Sequence, residues 1–437
     1  MHSHSVTLAH ERCMGCTDCI KRCPTEAIRV RGSKATIIEE RCIDCGNCIR
    51  ICRNGAKRAV MDSLVLMDQF KYKVVLPAPA LYGQFPKVKE ITCILEALYE
   101  MGFDEVFEVA VAGEVVAEHT YRYLKTATHF PVISSACPVI IRLIQRRFPT
   151  LIRHILPIIS PMELSARYIK GYYQQKGIKA EEIGVFFISP CPAKATEIHR
   201  PKGIKKSSID GVFAIQSVYK QILSKLSEKM NQSVIRQSGP AGLKWAMPSG
   251  GIDEKKVNKQ ITVDGMENVI AILEKVEDGT LEEVTYIEAL ACTGGCLGGV
   301  LNIENAFMSR NTLKRWIDST GEKQQSSHMH ALAKIPYFFE QDLVPRPVVT
   351  LDQDVTKALE KMSEIEALYG RLPQIDCGCC GAPTCRCFAE DVVMQKANVE
   401  ECIFILREKI KNLSDQMYQL TQIVIPTASE RYRGEEK

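Results

Sequence analysis

The sequence predicts an α/β domain bracketed by two small cysteine-dense modules and followed by a helical tail, on three observations. Residues 70–340 alternate strand-like and helix-like stretches. The 19 cysteines of the 437-residue chain are grouped rather than scattered. The last residues carry apolar side chains at spacings of three and four. These patterns divide the chain into 1–65, 70–340, 345–403 and 404–437. The third segment is entered through Leu343-Val344-Pro345-Arg346-Pro347.

Within 70–340 the expected strands are Lys73–Leu76, Glu105–Val109, Pro131–Ile133, Ile183–Ile188 and Val284–Ala289, each short and rich in Val, Ile or Phe. Expected helices include Val88–Met101, Val115–Leu124, Val139–Arg147 and Met162–Gln175. In the tail, Val399, Ile403, Leu406, Ile410, Leu413, Met417, Leu420 and Val424 form an a/d seam that Pro426 stops. Such a helix docks on its own domain, or serves self-association or a signalling partner.

A hydrophobic content of 46% at this length supports one large core with smaller modules. The formal charge of +4 makes no case for nucleic acid. Residues 1–60 hold 11 Lys/Arg against 6 Asp/Glu, which offsets bound anionic metal clusters locally. No run of 18 apolar residues argues for a membrane span. No apolar stretch precedes Cys13, so the chain reads as cytoplasmic. Clustered thiols there read as metal ligands rather than disulfides.

Cys13-x-x-Cys16-x-x-Cys19-x-x-x-Cys23-Pro24 is followed by Cys42-x-x-Cys45-x-x-Cys48-x-x-x-Cys52. Each run places three thiolates around one cubane face and lends its fourth to the other cluster. That assigns Cys13, Cys16, Cys19 and Cys52 to one 4Fe-4S cluster and Cys42, Cys45, Cys48 and Cys23 to a second. A pair of zinc sites is the other reading of eight cysteines. The first 60 residues resemble bacterial ferredoxins, with Arg53 where the second run usually has proline.

Three further motifs each follow a strand candidate: Ser134-Ser135-Ala136-Cys137-Pro138, Ser189-Pro190-Cys191-Pro192-Ala193-Lys194 and Ala291-Cys292-Thr293-Gly294-Gly295-Cys296. Loops beyond the carboxyl ends of strands are where α/β sheets build sites. Four thiolates converging there suit a buried cubane. In this order the motifs resemble the three signature motifs of the iron-only hydrogenase catalytic domain, over about residues 70–340. The resemblance implies that Cys137, Cys191, Cys292 and Cys296 hold a cubane. It implies that Cys296 bridges to a di-iron unit carrying CO, cyanide and a bridging dithiolate. It gives Lys194 to a cyanide ligand and Ala78-Pro79 to the pocket wall.

Three positions depart from the family. Ala136 stands where a proton-relaying cysteine is usual, and Ser189 and Leu290 stand where methionines are usual. Glu288 and Glu197 are candidates for another proton path, or are solvated or ion-paired glutamates. Glu114 and Glu118 lie near the family's upstream glutamates without a clear register.

Cys377-Gly378-Cys379-Cys380-Gly381-Ala382-Pro383-Thr384-Cys385, with Cys402, resembles a small four-cysteine iron–sulfur domain fused to electron-transfer and corrinoid proteins. Its ligands would be Cys377, Cys380, Cys385 and Cys402, a fourth 4Fe-4S cluster. Cys379 and Cys387 fall outside that pattern, and Cys93 reads as core packing. The combination resembles the sensory branch of the family. It implies H₂ and protons as substrates, a ferredoxin-like electron carrier and dedicated maturation proteins. Slow hydrogenase, hydrogen or redox sensor, and iron–sulfur assembly factor are the three functions to separate.

Overall fold

The computed structural model describes residues 4–226, 236–253, 256–257, 259–319, 326–346 and 351–422. Pro347, Val424 and Pro426 lie outside them. Eleven strands occur among these residues: β1 (Val6–Leu8), β2 (Ile28–Arg31), β3 (Lys34–Ile37), β4 (Lys57–Ala59), β5 (Tyr72–Pro77), β6 (Glu105–Val106), β7 (Val132–Ile133), β8 (Ile183–Ser189), β9 (Gly211–Ala214), β10 (Gln260–Asp264) and β11 (Tyr286–Leu290). Chain contacts define two compact units, residues 1–12 with 37–348 and residues 13–36 with 349–437.

The first unit holds the α/β fold. One parallel sheet has the order β6-β5-β8-β9 and a second the order β10-β11-β7. Val74 pairs with Val185, and Thr262 pairs with Glu288. Val74, Val75 and Leu76 and all of Ile183–Ile188 are buried. Parallel strands covered on both faces need unbroken apolar runs, which is why β5 and β8 are plain in the sequence. Helices Val109–Leu124, Pro138–Arg147, Pro161–Gln175 and Pro192–His199 cover the sheets. Outside them, β1 pairs antiparallel with β4.

The expected strand Glu105–Val109 stops at Val106, and Val109 begins a 16-residue helix. The edge strand ends after its pairing with β5, and Glu108 turns the chain. Buried Glu108 accepts the backbone N–H groups of Gln237 and Ser238 at 2.6 and 3.0 Å. The run Val109–Val116 then packs as a helix rather than a strand.

In the second unit, β2 and β3 form a hairpin across Gly32 and Ser33, both at positive φ, as its tight turn needs. Val30 N donates to Gly381 O at 2.8 Å. A Cβ on Gly381 would lie 1.7 Å from Val30 O, so only glycine allows this approach. Beside it, Asp391 accepts from Arg29 Nε at 2.6 Å and from Arg31 at 2.7 Å. Asp391 lies on the helix Cys385–Val393, which Thr384 caps. The β2–β3 hairpin and the C-terminal cysteine module thus share one buried charge cluster.

The tail forms a helix over Ile403–Thr421 with no buried residue. Its seam from Ile403 to Leu420 is 40–68% exposed. Among the described residues, no helix is long and apolar enough to cross a membrane.

Replacing Asp391 by alanine leaves Arg29 buried beside no carboxylate of that helix. Asp391→Ala is expected to destabilise the second unit by about 3–5 kcal/mol. Urea unfolding followed by a probe in that unit measures it, and an unshifted midpoint would refute the assignment.

Candidate metal centre

The carboxyl ends of β5, β7, β8 and β11 converge on one cavity of about 110 Å³. Cys137, Cys191, Cys292 and Cys296 all line it. Each motif is held by its own local hydrogen bonds. After β7, Ser134 Oγ accepts from Ala289 N at 3.0 Å and Ser135 Oγ donates to Ile158 O at 2.7 Å. After β8, Ser189 Oγ accepts from Cys191 N at 3.2 Å and donates to Cys191 O at 2.9 Å. After β11, Gly294 and Gly295 turn at positive φ, and Gly294 N donates to Asp264 at 2.7 Å. A Cβ on Gly299 would lie 2.4 Å from Pro190 O, so the second and third motifs touch backbone to backbone.

Cys137 and Cys191 each cap a helix whose first residue is proline. The positive helix ends therefore face the thiols. Burial pushes the Cys191, Cys292 and Cys296 thiols up, and the neighbouring thiols, Cys137 among them, push further. Cys292 reaches about 12. Lys194 opposes the shift at Cys191 and Cys296, and Arg50 opposes it at Cys292. Arg50 also donates to Gly298 O. Thiols that resist ionisation together are relieved when iron takes them as thiolates, so this donor set fits a four-iron cluster.

The other predicted residues divide. Ala78, Pro79, Ala136, Lys194, Glu288 and Leu290 line the cavity with the thiols. Lys194 Nζ donates to Ala136 O at 2.9 Å. Ser189 is buried behind the wall and braces the Cys191 turn. Glu197 borders a second cavity of about 30 Å³ that shares Ala136 and Lys194. It lies 3.6 Å from Arg142 and accepts Lys202 N at 3.0 Å. Glu114 accepts the N–H groups of Gly239 and Gly242, both at 3.0 Å, and so anchors a short helix. Glu118 is exposed against Arg122.

Sequence reasoning missed several parts of the site. Cys45, in the middle of the second N-terminal run, borders the same cavity. Asp44 beside it is buried, and accepts Ser5 N, Thr196 Oγ1 and Arg142 at 2.7–2.8 Å. His4, Cys42 and Asp44 each place a ligand atom within 4.8 Å of the others. These partners are up to 152 residues apart, so no spacing pattern reveals them.

In the second unit, Cys13 Sγ accepts Ala35 N at 3.4 Å and Cys23 Sγ accepts Ala27 N at 3.2 Å. Burial raises Cys380, with Cys377 and Cys402 adding to the shift, to about 11. Cys385 opens its helix, its N–H held by Asp376 at 2.6 Å. Cys379 is exposed and pairs with Cys377. Cys387 is buried with Sγ 2.8 Å from Glu26 Oε2, and burial and that carboxylate push it up to about 12. It is therefore a protonated donor in this arrangement. Cys93 is half-buried on the helix Ile91–Glu100.

Comparison with known proteins places these features in a family. A model of the iron-only hydrogenase large subunit, C-terminal domain, matches residues 71–232 and 210–300. A 4Fe-4S dicluster model matches 5–53 and an Fe-S cluster model matches 372–404. Iron hydrogenase 1 of Clostridium pasteurianum is 23% identical over 254 residues, 47% of this chain and 44% of that protein. The NADP-reducing hydrogenase subunit HndD of Solidesulfovibrio fructosivorans is 23% identical over 403 residues, 77% of this chain and 63% of that protein. The chain thus spans about half to two thirds of the length of these curated relatives. A solved variant of the FeFe-hydrogenase HydA1 of Chlamydomonas reinhardtii aligns at 16% identity and a TM-score of 0.46, covering 60% of this chain and 89% of that one.

A thiol raised to about 12 is almost wholly protonated at pH 8, and alkylation needs the thiolate. In the metal-free protein at pH 8, Cys292 is expected to alkylate at least about 100-fold more slowly than exposed Cys16. Mass-spectrometric footprinting reads the ratio, and equal rates would contradict the raised Cys292 thiol.

Proposed function

We propose a hydrogen-converting centre for this chain, which belongs to the iron-only hydrogenase family. The reaction is 2H⁺ + 2e⁻ ⇌ H₂. The observation that carries the reading is the convergence of Cys137, Cys191, Cys292, Cys296 and Lys194 on one cavity. The four thiolates would hold a cubane there, with Cys296 as the residue that would also serve a di-iron unit carrying CO, cyanide and a dithiolate. When bound, that unit supplies the metal site at which the H–H bond breaks or forms. Lys194, with one N–H on Ala136 O, has further donors for an anionic ligand. Ala78, Pro79 and Leu290 line the cavity and limit water around it. Cys45 on the cavity wall brings the second N-terminal cluster to the centre, which makes that cluster the electron donor.

The remaining clusters follow the spacing set out above: two N-terminal cubanes that exchange Cys23 and Cys52, and a C-terminal cubane on Cys377, Cys380, Cys385 and Cys402. A ferredoxin-like carrier supplies electrons from outside, and maturation proteins load the di-iron unit. Ala136 has no titratable proton, so turnover is slow. That favours a hydrogen-sensing role, with output through another protein.

Infrared spectra of anaerobically matured protein test the assignment. Metal-bound CO and cyanide bands that respond to H₂ are expected, and their absence beside fully loaded cubanes would overturn it. In the same material Ala136→Cys should raise turnover about tenfold or more. Unchanged turnover with intact bands would remove Ala136 as the cause of slowness.

The tail helix completes the reading as a self-association element. Ile403, Ile410 and Met417 occupy a positions and Leu406, Leu413 and Leu420 occupy d positions. β-Branched residues at a with leucine at d favour two parallel strands. The flanking Arg407, Ser414, Thr421, Lys409 and Gln416 present no like-charged e/g pair across such a dimer. Covering the exposed seam removes on the order of 600 Å² per copy, near the roughly 800 Å² of a standard interface. Sedimentation of the full chain should give a dimer that becomes monomeric in the double variant Ile410→Lys, Leu413→Lys. A monomeric native chain would refute the seam's role.

A further inference from the structure

The cavity wall carries a carboxylate, Glu288, whose hydrogen bonds run away from the metal site toward β10. Glu288 lies on β11, is 4% exposed, and borders the cavity with the four thiols. Its two oxygens have different partners. Oε1 accepts Gly251 N at 2.9 Å. A Cβ on Gly251 would lie 2.6 Å from that same oxygen, so the loop comes this close only as glycine. Oε2 accepts from Thr262 Oγ1 at 3.3 Å, across the β10–β11 pair in which Thr262 and Glu288 stand directly opposite. Thr262 Oγ1 in turn accepts from Ser249 Oγ at 3.2 Å. Ser249 is exposed. It sits at φ +61 in the loop that ends on Gly251.

We propose that Ser249, Thr262 and Glu288 form a proton wire between solvent and the metal cavity, a route assigned to neither the missing thiol nor the upstream glutamates. The inference rests on the hydrogen-converting reading of the cavity. Its geometry is directional: Ser249 donates to Thr262, which donates to Glu288. In one passage Thr262 gives its hydroxyl proton to Glu288 Oε2, Ser249 replaces it, and solvent reprotonates Ser249. The two hydroxyls end unchanged, and the carboxylate becomes a carboxylic acid bordering the cavity. Outward flow reverses each transfer once the two O–H bonds have turned.

The wire is assembled by tertiary packing. Gln260 Nε2 also donates to Thr262 Oγ1, at 3.4 Å, so that oxygen is held from two sides while its own proton points at Glu288 Oε2. Gly251 N fixes the carboxylate plane and leaves Oε2 to the threonine. Removing the Thr262 hydroxyl breaks the path at its middle and leaves both ends in place. Thr262→Val keeps the β-branched shape that a strand prefers. Thr262→Ser keeps the hydroxyl.

Two measurements test it. The first uses protein carrying its cubanes without the di-iron unit, reduced by dithionite, with redox-difference infrared spectra. Reduction is expected to draw a proton to Glu288, giving a protonated-carboxyl band that shifts in D₂O and is lost in Glu288→Gln. After rapid mixing the band should grow at least about tenfold more slowly in Thr262→Val and at the native rate in Thr262→Ser. The second uses matured protein, where Thr262→Val should lower H₂ turnover at least about tenfold with unchanged CO and cyanide bands. A band that survives in Glu288→Gln, or a Thr262→Val protein as fast as native in both measurements, would overturn the wire. If matured protein shows no CO or cyanide bands, the hydrogen-converting reading fails, and the cubane-only spectra still decide whether Glu288 takes its proton through Thr262.

Discussion

Negative charge gathered inside an apolar cavity is the constraint around which the first unit is built. Several thiolates cannot share such a space on their own, because each buried ion costs several kcal/mol before mutual repulsion. The helix ends at Cys137 and Cys191 contribute only about 0.3–1 kcal/mol each, rising to ~2 when partly buried. Lys194 and Arg50 add two positive charges at the rim. These terms together do not ionise Cys191, Cys292 and Cys296, whose thiols burial holds up. Iron bound by the four thiols would settle the balance, and the protein's part would be to hold those donors together.

The parallel sheets make that possible at low local cost. Their strands end at one level, so three motifs far apart in sequence open into the same space. Close backbone approach then fixes the motifs against one another. Gly299 lies against Pro190, and Ser134 spans from β7 to Ala289 beyond Glu288. Asp44 continues the network outward by tying Ser5, Thr196 and Arg142 into one buried cluster next to the second cysteine run.

Much of this was legible in the chain. β5 and β8 stand out by their apolar runs, β11 by its aliphatics around Glu288, and each cysteine motif lies just beyond a strand, as its position suggests. β9 is four residues long and opens on Gly211, and the alternation of β10 from Gln260 to Asp264 covers only five residues, so both are short enough to pass for loops. Val109 was drawn into a strand because a run of valine and alanine serves either state, and only the turn at Glu108 decides. The polar parts of the site were hidden for a different reason. Asp44 meets Arg142 across 98 residues, and Glu288 meets Gly251 across 37. Such pairs follow from the sheet order, which no local pattern encodes.

The hairpin that binds Gly381 carries a consequence for how the chain is made. Residues 13–36 leave the ribosome well before the helix that carries Asp391. At about 5–20 residues per second, some 350 intervening residues take roughly 20–70 s. Through that interval Cys13, Cys16, Cys19 and Cys23 wait without the charge cluster that holds the following hairpin in the finished protein. Oxygen sensitivity of the nascent chain, and the order in which its clusters are filled, are therefore set by translation time as well as by folded stability.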